Sequence, residues 1–197
     1  MKRTIGIFAT AFIMTIGAVA QTAWTVDHAH SSVKFTVSHL VIAEVEGNFK
    51  VFSGSLQSSK PDFTDANVEF AVDVKSVDTD NDMRDNHLKS EDFFHAEKFP
   101  HMSFKSLSWK KVGEQRYILE GDLTIRDVTR RVAFDVVYGG TIKDPWGNTK
   151  AGFKATTHIN RFDYGLQFNA VTETGGAVVG RQVGITLNLE FAQKEAS

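Results

Sequence analysis

Seven histidines are the residues of this chain best suited to chemistry, and two of them, His28 and His30, form an H-x-H pair. In a strand that spacing puts both rings on one face, because side chains alternate. A third metal ligand would then come from His39, His158 or a nearby Asp, since a zinc site gathers three or four converging ligands. An isolated H-x-H with no second cluster reads more simply as a polar surface pair. No metal and no cofactor is therefore expected. A metal-dependent or enzymatic module using His28, His30 and His39 is kept as the alternative reading.

Other catalytic arrangements are weaker. No serine stands in a G-x-S-x-G elbow, and no α/β sheet is predicted to hold one. Asp80 with Asp82, and Glu91 with Asp92, lie in a polar stretch, where acids read as solvated or capping groups. Gly175, Gly176 and Gly180 precede a strand pattern and not a helix, so they form a loop and not a phosphate cradle. No catalytic residue is assigned.

The elements that must position any site are strands. Val33, Phe35, Val37 and His39 alternate with Ser32, Lys34, Thr36 and Ser38. The same period of two recurs at Val68 to Val74, Tyr117 to Ile125, Val132 to Tyr138, Ala151 to Ile159 and Val183 to Phe191. Shorter strands are predicted at Trp24 to Asp27, Phe49 to Leu56 and Met102 to Trp109. One wet face and one apolar face per strand is the mark of antiparallel pairing. Turns such as Lys60-Pro61-Asp62 and Asp144-Pro145-Trp146-Gly147-Asn148 separate the strands. Only Asp78 to Phe99 departs from the pattern: Asp80 or Asn81 caps a short helix running to about Glu91, and Pro100 forces an extended exit. The predicted fold is all-β: a single antiparallel up-and-down β-barrel of about eight strands, with a short helical excursion around residues 80–94. Closure removes exposed edges. A two-sheet sandwich is the competing architecture.

Residues 1–20 stand outside this pattern. Lys2 and Arg3 precede an almost wholly apolar run from Ile5 to Val19, and Ala18-Val19-Ala20 supplies the small residues of a cleavage site. This is a secretory signal peptide pattern, with cleavage expected after Ala20. The domain is then 21–197, and the chain is expected to be exported from the cytoplasm. Without Lys2 and Arg3 the chain keeps 20 of its 22 basic side chains against 24 acids, a net charge of −4. Such a surface has no attraction for nucleic acid, and no further run is long enough for stable membrane insertion. The absence of cysteine excludes disulfides and thiol chemistry.

Six strings carry a resemblance. They are Phe49, Phe52 and Gly54; Ser76-Val-Asp-Thr79; Arg84-Asp-Asn-His-Leu-Lys-Ser-Glu-Asp-Phe-Phe94; Lys98-Phe-Pro-His-Met-Ser-Phe104; Gly121-Asp-Leu-Thr-Ile125 with Val128-Thr129; and Asp144-Pro-Trp-Gly147 with Ala151-Gly-Phe153. In this order and spacing the chain resembles the YceI-like family of bacterial periplasmic proteins. The resemblance implies an extended, lipocalin-like barrel that binds a polyisoprenoid or similar long-chain amphiphile in an apolar tunnel, without enzymatic activity. It also implies the periplasm as the location of the exported chain. The chain departs from many relatives in being acidic, at Glu44 and Glu46, just before Gly47.

The residue pattern supplies a physical reason for that ligand class. An eight-stranded barrel is just wide enough to be filled by side chains or to hold one slender ligand. On the inward parity stand Phe35, Val37, Phe70, Val72, Phe134, Val136, Phe153, Ile185 and Leu187. His39 continues the parity of Val37 and is either a satisfied interior histidine or a polar contact at the cavity mouth. Arg84 either ties the helical excursion to the barrel or faces a polar head group. The expected partner is a long-chain isoprenoid or fatty lipid, held for a carrier, buffer or stress-related role. A homodimer is left open.

Overall fold

A computed structural model describes residues 21–173 and 175–194. The expected signal peptide and its cleavage site after Ala20 lie outside the described residues. The strands are β1 Thr22–Val26, β2 Ser32–His39, β3 Ala43–Phe49, β4 Phe52–Ser58, β5 Asn67–Asp73, β6 Val77–Asp78, β7 His101–Lys111, β8 Arg116–Ile125, β9 Val128–Lys143, β10 Thr149–Asn160 and β11 Val179–Gln193. Helix α1, Asp82–Lys89, falls between β6 and β7.

Eight strands close a ring in the order β1, β4, β5, β7, β8, β9, β10, β11 and back to β1, every pair antiparallel. The barrel, and not the sandwich, is the fold. Strand β11 is long enough to serve two neighbours on one edge. Near its C-terminal end Phe191 pairs with Val26 of β1. Near its N-terminal end Val179 pairs with His39 of β2. The β2–β3 hairpin is thereby displaced from the sequential order and extends the wall upward, with the short β6 added at Phe49.

The expected parity positions the core. Val68, Phe70 and Val72 are buried on β5, Leu119, Leu123 and Ile125 on β8, and Phe134 and Val136 on β9. Strand β7 slips its register between Ser106 and Ser108. This bulge returns Trp109 to the inside, although strict alternation from Met102 would turn it out. His28 and His30 lie in a single 3-10 turn and not in a strand, so the shared-face argument for them fails. Their rings are set by local contacts: His28 packs on Phe52 and His30 turns to Asp27.

Helix α1 starts where the sequence places it and stops two residues short of Glu91. The Asn81 side chain accepts from Arg84 N at 2.9 Å, and Asp82 and Asp85 occupy the first turn, where the helix dipole favours acids. Asp85 is buried because its carboxylate accepts from both the backbone N and the hydroxyl of Thr79, at 2.9 and 2.6 Å.

Candidate functional site: an apolar chamber closed at one end

The inner faces of the strands enclose a cavity of about 170 Å³. Phe35, Val37, Phe70, Val72, Phe134, Val136, Phe153, Ile185 and Leu187 all line it. They come from five strands, β2, β5, β9, β10 and β11, brought to one space by ring closure and by the pairing of β2 on β11. Phe35, Ile185 and Leu187 keep some accessible surface although they point inward. That surface is the chamber wall. A space of this size lined by aliphatic and aromatic side chains can accept an apolar guest.

One end is plugged. Phe63, from the β4–β5 connection, is buried to 3% exposure and meets Trp24, Tyr138 and Phe153 at ring separations of 5.6, 5.5 and 5.2 Å. Trp109 adds an edge against Phe153. The phenylalanines therefore both fill and line the barrel: they fill it at the Phe63 end and border open space above. The plug loop is held by Asp65. Its carboxylate accepts from the hydroxyls of Ser58 and Ser59 and from the backbone N of Ser59 and Lys60. Those bonds, the serine hydroxyls first, hold the carboxyl far below its usual range.

The other end is bounded by connecting segments. Leu88 of α1, with Phe93 and Phe94 beyond it, forms part of the wall. Phe94 packs edge-on against Phe49, and His87 meets Phe93 and Phe168, themselves in ring contact, edge-on at 5.1 and 5.0 Å. The turn at Arg161–Tyr164 adds Arg161 and Tyr164 to the lining. Arg161 is buried, with its donors on the carbonyls of Leu166, Gly180 and Val179 at 2.6, 2.8 and 3.0 Å. The guanidinium is thus held in the wall as a strut for the 166–180 segment. The hydroxyl of Tyr164 is buried without a hydrogen-bond partner among the described residues. Burial pushes it up to about 12, so it remains neutral.

Two sequence-assigned residues fall outside the chamber wall. His39 ends β2, half-buried, opposite Ala43 and Val179. Arg84 is exposed and donates to Thr79, from Nε to the hydroxyl and from Nη2 to the carbonyl, both at 2.7 Å. Thr79 thereby joins Arg84 and Asp85 at the foot of α1. The three histidines of the alternative reading do not converge, because the whole length of β2 separates His30 from His39. His30 stands instead with Asp27 and Glu190. Lys150 already occupies that group, its Nζ 2.6 Å from Asp27 and 3.2 Å from Glu190. The Lys150 hydrogen bond lowers Asp27 to about 2, and Asp27 in turn raises Lys150. A cation would have to displace the ammonium.

Sequence reasoning missed Phe63, Arg161 and Tyr164. The first lies in a loop with no periodicity. The latter two share the Asn160–Gly165 turn, where Asn160 caps and Gly165 takes a left-handed conformation. That signal was legible in the Asn and Gly spacing.

A closed antiparallel barrel around an apolar chamber is the architecture of small-molecule-binding barrels. The chain belongs to the YceI-like family, whose domain model matches residues 24–191. A UPF0312 protein of Staphylococcus aureus (strain bovine RF122 / ET3-1) is 38% identical over 175 residues, 88% of this chain and 99% of that one. Among solved structures, the Campylobacter jejuni YCEI protein is similar at TM-score 0.70 and 31% identity, covering 80% of this chain and 90% of its own. A polyisoprenoid binding domain from Saccharophagus degradans shares the fold at TM-score 0.66 and 16% identity, covering 88% and 99%.

Proposed function

We propose that this protein binds a long-chain amphiphile, of the polyisoprenoid or fatty class, with its tail in the barrel chamber, and acts in the periplasm as a carrier or buffer. The observation that carries the reading is the convergence of nine apolar residues from five strands on one cavity. Each methylene placed there gains ~0.8 kcal/mol from leaving water. A tail of many carbons therefore outweighs the ordering costs of binding. The Phe63 plug sets the depth, so the tail enters from the α1 end and the head group stays near it. The ligand class is also the one named for the Saccharophagus degradans fold neighbour. Export is supported by the signal peptide pattern of residues 1–20, and the periplasm by the resemblance to a family of periplasmic proteins.

Native mass spectrometry of gently purified protein, followed by organic extraction, tests this. The expected result is a bound lipid in the mass spectrum and in the extract. An empty chamber that also refuses added polyprenyl and fatty ligands would sink the proposal.

A further inference from the structure

We infer that the β2–β3 turn is a docking tip for a lipid bilayer surface, so that the unplugged end of the chamber faces the membrane. This rests on the lipid-binding reading above. The tip is Leu40-Val41-Ile42, three apolar residues exposed to 38%, 72% and 87%. Ile42 N donates to His39 O at 3.2 Å, closing a tight turn. Leu40 and Val41 sit at its centre with φ of +51° and +66°. Turns with two positive φ values are the province of Asn and Gly, and a β-branched residue there is strained. Both the exposure and the backbone therefore work against solubility and local stability. An Asn-Gly pair would relieve both, which points to a use for the apolar side chains themselves.

Position favours a membrane over other occupants. The hairpin rises from the chamber wall: Val37 lines the cavity, and His39 pairs with Val179, which also lines it. Leu40 N donates to Val178 O at 3.0 Å, which ties the tip to the segment bounding that end. Val171, 63% exposed, lies on the same connection, and Val41 stands beside Gly176. The patch is made of four side chains. A stable protein interface needs about 20–30 residues on each side, whereas apolar side chains enter the membrane interface without a complementary surface. Glu44 and Glu173 are exposed near the tip, so an anionic bilayer would repel it. A neutral, zwitterionic surface fits. Trp146 is also exposed, at 84%, but it sits in the β9–β10 turn at the plugged end and serves as the control.

The test is co-flotation of the mature protein with phosphatidylcholine vesicles. Wild type and Trp146→Ala should float alike. Ile42→Asp, and Leu40→Asn combined with Val41→Gly, should lower the floated fraction at least tenfold. The Asn-Gly variant should keep or raise its Tm, which excludes misfolding as the cause. Phosphatidylglycerol in the vesicles should weaken wild-type binding. Equal flotation of both tip variants and wild type would overturn the inference, as would loss on Trp146→Ala alone. A wild type that ignores vesicles but forms a dimer abolished by Ile42→Asp would assign the tip to a second copy and overturn it too. Lipid content, measured separately by native mass spectrometry, distinguishes the two proposals: a lipid-loaded protein indifferent to vesicles fails only the docking. A floating protein that never carries lipid fails only the chamber reading.

Discussion

The ring of Phe70 on β5 lies over Gly54, its direct partner on β4. A Cβ at position 54 would come within 2.5 Å of Phe70 Cδ2. Gly47, the direct partner of Phe35, repeats the arrangement, and Gly121 lies beneath Phe104 from the diagonal position. The chamber wall is thus built from glycine–aromatic pairs, in which one ring covers two positions of adjacent strands. Gly54→Ala should destabilise the barrel by about 1–3 kcal/mol through overpacking. Adding Phe70→Leu should return part of the loss. Urea denaturation of the single and double variants checks this; additive losses would mean that ring and glycine are independent.

Phe63→Ala should remove the plug. The expected cost is about 3–5 kcal/mol, the range for deleting a buried aromatic side chain. The chamber should lengthen toward Trp24 and Tyr138, and the mass of bound lipid should shift to longer tails. An unchanged ligand distribution in a folded variant would show that Phe63 does not set the depth.

Asp27 and Lys150 predict a pH dependence. The folded carboxyl, at about 2, lies below its ordinary value of 3.8. Its stabilisation is therefore complete above about pH 4 and lost as pH falls through about 2, on the order of 2 kcal/mol. Lys150 is raised, so its contribution is complete below its ordinary value and lost as the solution becomes more alkaline than that. Asp27→Asn should flatten the acid limb of a Tm profile. A variant with the wild-type limb would assign acid sensitivity to other carboxylates, Asp65 first.

Arg84→Ala should lower stability by about 1 kcal/mol, because two donors to Thr79 disappear at the foot of α1. Lipid content should not change, since the guanidinium is outside the chamber wall. Lost lipid with unaltered stability would put Arg84 on the head group.

How much of this was legible in the sequence follows from the range of each interaction. Period-two patterning named nine chamber residues correctly by face, because the pleat forces neighbours to opposite sides whatever the strand pairs with. The break in that pattern, with Asp80 or Asn81 as cap, placed α1, and the Asn81 cap acts within one turn. The same local logic failed at His28 and His30, where three residues form a 3-10 turn and no sheet extends the alternation.

What the sequence by itself determined is therefore the all-β character, the inward faces and the helical excursion. All three depend on contacts between near neighbours along the chain. Only the tertiary structure decided that Phe63 plugs one end, that Arg84 turns to Thr79, and that the β2–β3 hairpin leaves the ring to stand on β11. Each of these depends on which distant segment arrives alongside, and ring closure sets that. No periodicity encodes it, because a loop side chain such as Phe63 is buried against rings contributed by distant strands, β1, β9 and β10.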